Sequence, residues 1–386
     1  MKAVPMLDLQ AEYEYMKGDI DAAILRCLTH QKWILGPEVD ELENKIAKYI
    51  GVQHAVGTSS GTEALVLALR ALSIKLKGQD FFDKTAEIIT TPFTFTATGD
   101  AILRAGAKPV FVDIDPATYN IDASKINEYL KTNHSNVVGI VPVHLYGQSC
   151  NMDAIQEIAQ EYNLFVVEDA AQAFGGMWKG KKLGSIGTLG AFSFFPSKNL
   201  GGFGDAGMVS TDDEELASIV RMLIKHGGKD KYNVDYIGYN ARLDTFQAAV
   251  IDAKFRYLDE FNEKRRVIAG LYASGLKGLK GISLPETLSD VYHVYNQYTI
   301  GVTEGKRDEL QGYLSENGIA SMVYYPFPLH KMKVFKSGRS KVYDELVHAE
   351  QAAQMVLNLP IGPLQQREVT DYVIESVKGS CRKNGY

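Results

Sequence analysis

The chain has 386 residues, of which 45% are hydrophobic and 23% charged, with a formal net charge of −6. That length exceeds one small core and allows two domains, and the acidic balance excludes a general nucleic-acid or membrane-surface binder while leaving room for a local basic pocket for a small anion. The three cysteines, Cys27, Cys150 and Cys381, are far apart; an odd, scattered set is neither a disulfide framework nor a CxxC metal site, and it predicts a reducing, cytoplasmic setting.

The opening MKAVPMLDLQAEYE has no long apolar core, and no apolar run approaches the roughly 20 residues of a membrane span, so neither a leader nor a membrane contact is expected. EVDELENKIAKYI (38–50) puts Val39, Leu42, Ile46 and Ile50 on one helical stripe. HAVGTSS (54–60) reads as a strand and GTEALVLALRAL (61–72) as a helix. Next come EIITT (87–91), a helix to about Arg104, KPVFVDID (108–115), a helix near 124–131 and VVGIVPVH (137–144). A helix near 153–162 precedes LFVVEDA (164–170), and GAFSFF (190–195) follows. Near-continuous apolar strands separated by helices predict a mostly parallel sheet covered on both faces. One long amphipathic helix is expected from about Ala241 to Arg266. Beyond it, QYTIGV (297–302), a helix near 306–316, the extended ASMVYYP (320–326) and a helix near 344–356 predict a smaller α+β unit. The expected division is a large α/β domain, 1–258, and a small C-terminal domain, 259–386.

FSFFPSKNLGGFGDAG (192–207) places a lone amine, Lys198, between an aromatic run and a glycine-rich loop. Lys198 admits three readings: an exposed charge, part of a dinucleotide loop, or a covalent cofactor anchor. Gly202, Gly204 and Gly207 match GxGxxG, but a working fingerprint opens a helix, whereas MVSTDD follows and reads as a strand. The glycines also suit a plain tight loop.

A covalent anchor makes demands elsewhere. Its amine has to be desolvated, because only the neutral amine is nucleophilic. Pyridoxal phosphate (PLP) needs a carboxylate facing its ring nitrogen, which keeps the ring an electron sink. Asp169, ending the apolar strand in VVEDAAQ, is the candidate; the competing reading is a helix cap over AAQAF. The phosphate needs backbone N–H groups. Ser60-Gly61-Thr62-Glu63 reads as a capping box opening a helix after a strand, which is a ready anion site or simply a capped helix. Ser193 could add a bond, and Phe93 or Phe95 in TPFTFTAT could cover the ring or belong to the core.

Together these segments resemble the DegT/DnrJ/EryC1/StrS family of PLP-dependent sugar aminotransferases. ILGPEVDELE (34–43), GTSSGTEAL (57–65), TPFTFTAT (91–98), VFVDIDPATYNID (110–122), PVHLYGQ (142–148), VVEDAAQAFG (166–175), FSFFPSKNLGGFGDAG (192–207), YNARLDTFQAA (239–249) and YYPFPLH (324–330) follow the family's order. The resemblance implies an aspartate-aminotransferase-type α/β fold (PLP fold type I) and a homodimer with shared active sites. Lys198 would be the Schiff-base lysine and Asp169 the partner of the pyridine nitrogen. Gln172 would lie beside the ring, with Phe95 stacked on it. Gly61, Thr62 and Ser193 would hold the phosphate, and Asn240 would reach the phosphate of the other subunit. Arg242 and His330 fall in segments lining the substrate cleft.

Some relatives replace this lysine with histidine and act as dehydratases; here the lysine stands. Others use an iron–sulfur cluster, which three dispersed cysteines cannot easily ligate. The loop NLGGFGDAG resembles members acting on 3-keto sugars. The resemblance thus implies transfer of an amino group from L-glutamate to C3 of a nucleotide-linked keto hexose. Amination at C4 is the alternative, ahead of a non-catalytic PLP-binding regulator or a nicotinamide oxidoreductase. No metal is expected.

Overall fold

The computed structural model describes residues 3–230 and 232–384; residues 1, 2, 231, 385 and 386 of the two expected units lie outside the described residues. Asp8 caps α1 (Leu9–His30), accepting from Ala11 N at 2.9 Å. This helix was not anticipated, although Met16, Ile20, Ala23 and Cys27 form its buried stripe. Gly36 and Pro37 start α2 (Pro37–Ile50), which buries the expected stripe and closes at Gly51 with φ 87°. Then follow β1 (His54–Thr58), α3 (Gly61–Lys77), β2 (Glu87–Thr90), α4 (Thr96–Arg104), β3 (Lys108–Phe111), α5 (Ala123–Asn133), β4 (Val137–Val141), α6 (Met152–Glu161) and β5 (Phe165–Asp169). The short β6 (Met177–Trp178) and β7 (Lys181–Lys182) lead to β8 (Leu189–Ser193), β9 (Gly207–Thr211) and α7 (Glu214–Leu223).

The expected helix from Ala241 to Arg266 is corrected by the structure: α8 (Thr245–Phe255) and α9 (Leu258–Leu276) meet at Arg256–Tyr257. Arg242 and Asp244 are instead extended and bridge Thr58 and Ile34. Ala249 and Val250 of α8 and Phe261 of α9 pack on α1, and farther along α9 Ile268 and Tyr272 turn to a different core.

The remainder comprises β10 (Ile282–Ser283), β11 (Val291–Tyr292), β12 (Tyr298–Val302), α10 (Arg307–Glu316), β13 (Lys341–Val342), α11 (Val347–Met355), β14 (Val356–Leu359) and α12 (Arg367–Asn384). The extended segment ASMVYYP forms only an isolated bridge, Met322 to Asn358, and its Tyr324–Tyr325 peptide is cis.

The main sheet has the order β1-β9-β8-β5-β4-β2-β3-β13. Its pairings are parallel from β8 to β13 and antiparallel at β1-β9-β8. The buried faces of α3, α4 and α7 form one core with it, and those of α5 and α6 another. A three-stranded sheet, β10-β12-β14, closes a separate core with α9, α10 and α12, which also takes in Val4. Parallel strands bring the carboxyl ends of β5 and β8 together at one edge, where such sheets bind ligands.

Candidate active site

β5 ends at Asp169, whose side chain is 5% exposed. Thr98, one turn into α4, donates to Oδ2 at 2.8 Å, and Ala171 N donates to Oδ1 at 3.2 Å. Burial raises the Asp169 pKa; the Thr98 bond, the Ala171 N–H and the charge of Lys198 oppose it. The neighbouring β8 ends at Ser193, and a turn in which Lys198 N donates to Phe195 O at 2.8 Å brings Lys198 back toward Asp169. Desolvation pushes the Lys198 amine down to about 8 despite the Asp169 carboxylate. These two groups therefore sit in an unusual state: a carboxyl raised and an amine lowered by the same apolar surroundings.

The first turn of α3 lies against Ser193 at the end of β8. Ser60 Oγ accepts from Glu63 N at 3.1 Å. The reciprocal half of the capping box is not made, because Glu63 Oε1 pairs with Arg104 at 2.7 Å. As first-turn groups, Gly61 and Thr62 N–H have no intrahelical acceptor. A Cβ on Gly61 would come within 2.5 Å of Ser193 Cβ, so only glycine lets the helix terminus lie against β8. A cavity of about 490 Å³ opens beside it, lined by Ser59, Ser60, Glu63, Asp205, Arg242, Asp244 and Gln247. Arg242 Nε is buried there without a hydrogen-bond partner.

Gln172 Oε1 accepts from Tyr146 N at 2.8 Å and its Nε2 donates to the Tyr325 hydroxyl at 2.9 Å. These bonds orient the carboxamide and leave its second N–H free for another acceptor. Phe95 is exposed at the start of α4, with its ring 6.1 Å from that of Tyr325. Phe93 is fully buried in the core with Phe111 and Phe335. Asn240 is exposed, in a bridge with Lys225, and does not line this cavity. His330 is also apart: its Nε2 meets Glu350 Oε1 at 3.0 Å, and Lys331 pairs with the same carboxylate at 2.7 Å. Thr98, Tyr146 and Tyr325 were missed in the sequence. All three lie inside quoted motifs, but their contacts join segments up to 153 residues apart.

The glycine match is settled locally. Gly207 begins β9, so no helix follows the loop and the dinucleotide reading falls. The residues do fit PLP: a desolvated amine, a buried carboxylate, and an open helix terminus crowded by Ser193.

The pattern of the DegT/DnrJ/EryC1/StrS aminotransferase family matches residues 14–378. The chain belongs to this family. It is 44% identical over 376 residues to a pleiotropic regulatory protein of Geobacillus stearothermophilus, covering 97% of each chain. It is 42% identical over 366 residues to a UDP-N-acetyl-3-dehydro-α-D-glucosamine 3-aminotransferase of Acidithiobacillus ferrooxidans, covering 95% of each. Among solved structures, S. venezuelae DesV in complex with a ketimine intermediate superposes with a TM-score of 0.92 at 39% identity, covering 99% of both chains. The fold of this aminotransferase is therefore that of the PLP-dependent sugar aminotransferases, with a mostly parallel central sheet. Among the described residues, no helix is long and apolar enough to cross a membrane, and all three cysteines are buried and free.

Proposed function

We propose that this aminotransferase moves an amino group from L-glutamate to the C3 ketone of a nucleotide-linked hexose in two successive half-reactions. The observation that carries the chemistry is the Lys198 amine, lowered to about 8, set against the buried Asp169 carboxylate. The C3 position is supported by the 3-aminotransferase named among the relatives.

Asp169, held by Thr98 and Ala171, would face the ring nitrogen of PLP and keep a proton on it. Gln172 would offer its free N–H beside the ring, and Phe95 would cover one face. Gly61 and Thr62 N–H, with the Ser193 hydroxyl, would take the phosphate. When bound, PLP supplies an electron sink for the bond broken at the amine-bearing carbon. Lys198 Nζ holds the proton moved on and off that carbon; a pKa near the working pH lets it both accept and release it. Arg242, with Nε unpartnered in the cavity, is the cation available to an anionic substrate group.

The reading extends to a homodimer in which Asn240 of each chain reaches the other chain's site, since Asn240 is exposed and outside its own cavity. It keeps the division of the chain near residue 258, so Tyr325 closes on Phe95 and Gln172 from the second unit. The three free cysteines support a cytoplasmic setting.

The test is to incubate the protein and PLP with L-glutamate and matched 3-keto and 4-keto nucleotide sugars, and to locate the new amine by NMR. Amination at C3 is expected. Amination only at C4 overturns the position, and amination of no sugar overturns the substrate class. A second reading, a non-catalytic regulator, is favoured by the name of the Geobacillus stearothermophilus relative; it requires that glutamate give no 2-oxoglutarate at all.

A further inference from the structure

Away from Lys198 and Asp169, α1 and α2 bring three metal-ligating side chains together. Cys27 and His30 stand one turn apart at the carboxyl end of α1, and Glu38 in the first turn of α2 meets them across the connecting loop. This is the spacing of neighbours on one helix face, not a CxxC motif. One ligand atom from each residue, the Cys27 Sγ, a His30 ring nitrogen and a Glu38 carboxylate oxygen, lies within 4.8 Å of the other two. Cys27 is fully buried, Glu38 is 7% exposed and His30 is partly buried.

The polar groups of this cluster are short of partners. Glu38 Oε1 meets His30 Nε2 at 3.0 Å, but Oε2 is buried with no hydrogen-bond partner. The Cys27 thiol has one distant acceptor, Thr245 O at 4.0 Å. Burial pushes its pKa up, the Glu38 carboxylate adds to the rise, and Arg26 opposes it. A buried carboxylate oxygen left unpaired carries a desolvation cost that a bound cation removes.

We propose that Cys27, His30 and Glu38 form a zinc site whose fourth position is open to water. A thiolate, an imidazole and a carboxylate together suit Zn²⁺ rather than Mg²⁺ or Ca²⁺, which take oxygen ligands. Tetrahedral bonds of about 2.0–2.3 Å set the ligand atoms roughly 3.5 Å apart, so the cluster closes by about an ångström on the ion. Binding releases the thiol proton to solvent. The His30 ring proton moves from Nε2 to Nδ1, at the expense of the bond that Nδ1 accepts from Lys32 N at 3.0 Å. The ion ties the end of α1 to the start of α2. Ile34, in the loop so enclosed, bridges Asp244, which lines the first cavity, so the ion braces that wall. The site is independent of the amino-transfer reading, and either can fail without the other.

The test uses PLP-loaded protein dialysed against a chelator and then titrated calorimetrically with Zn²⁺. A parallel titration with Co²⁺ follows the thiolate-to-cobalt charge-transfer band by difference absorption. The wild type is compared with His30→Gln and Cys27→Ser. One Zn²⁺ per chain is expected, with affinity lowered about tenfold or more by either substitution. The cobalt band is expected in the wild type and lost in Cys27→Ser, which keeps Cys150 and Cys381. Because His30 is partly exposed at the end of its helix, its replacement leaves the core intact and decides the matter alone if Cys27→Ser fails to fold. No Zn²⁺ binding by the wild type, Zn²⁺ affinity within twofold of wild type in His30→Gln, or a cobalt band that persists in Cys27→Ser overturns the proposal.

Discussion

At Lys198 and at His330, burial pushes the pKa of a basic side chain down, yet the two meet different neighbours. At His330, Glu350 takes Nε2 and Lys331 shares that carboxylate, while Nδ1 is buried without a partner. Lys198 has a carboxylate opposite, Asp169, whose oxygens are taken by Thr98 and Ala171, and an open helix terminus against Ser193 at the end of β8. Both lie in segments that resemble family motifs. The difference teaches that a shifted pKa alone does not mark a reactive group; what marks it is a desolvated charge whose neighbours are already engaged or waiting for a ligand.

The widest gap is expected from alanine at the lysine. Lys198→Ala should lower amino transfer by more than about 10³-fold, since on the proposed reading it removes both the nucleophile and the proton carrier. His330→Gln should change it less than about tenfold. Steady-state rates with glutamate check the contrast, and comparable losses at the two positions would erase it.

Next in size is the carboxylate. Asp169→Asn should lower the rate roughly 10²-fold. It should also move Lys198 further below about 8, because the Asp169 charge is what holds the amine up. The pH dependence of Lys198 acylation in cofactor-free protein reads that shift, and an upward movement would contradict the pairing.

Asn240→Ala should weaken cofactor retention about tenfold, by loss of a hydrogen bond to a charged phosphate. Equilibrium dialysis against PLP measures it. Unaltered retention would leave Asn240 with no role in the site.

Lys198 should also cost stability at pH 7, above the range in which the lowered His330 pKa acts. Its native pKa is about 8 against an ordinary 10.5. Between those values the unfolded chain binds more protons, so stability rises with pH; below about 8 the penalty is complete, at about 3 kcal/mol. Lys198→Met should therefore raise the melting temperature of cofactor-free protein at pH 7, with the gain fading toward pH 10.5. A melting temperature unchanged at pH 7 would return Lys198 to an ordinary charge. The smallest effect is expected beside His330. Glu350→Gln should lower stability by about 1 kcal/mol, read by thermal denaturation.

Much of this was legible in the chain. The strands ending at Asp169 and Ser193 are near-continuous apolar runs, because a parallel sheet buried on both faces requires them. The stripe of α2 and the Ser60 cap are local signals, written within a few residues of where they act. Lys198 and Asp169 could be paired as candidates because each stands out against an apolar strand. Less legible was the path from Ala241 to Arg266. Its continuous helical pattern concealed a break at Arg256–Tyr257.

The sequence by itself determined the alternation of strands and helices, the lone amine and the carboxylate, since these depend on local periodicity and residue chemistry. Only the tertiary structure decided that Thr98 and Tyr325 join Asp169 and Gln172, that Phe93 is core while Phe95 faces outward, and that Glu350 takes only the Nε2 of His330. Those contacts bring together residues distant along the chain, and only packing of the whole fold settles which polar group finds a partner and which is left for a ligand.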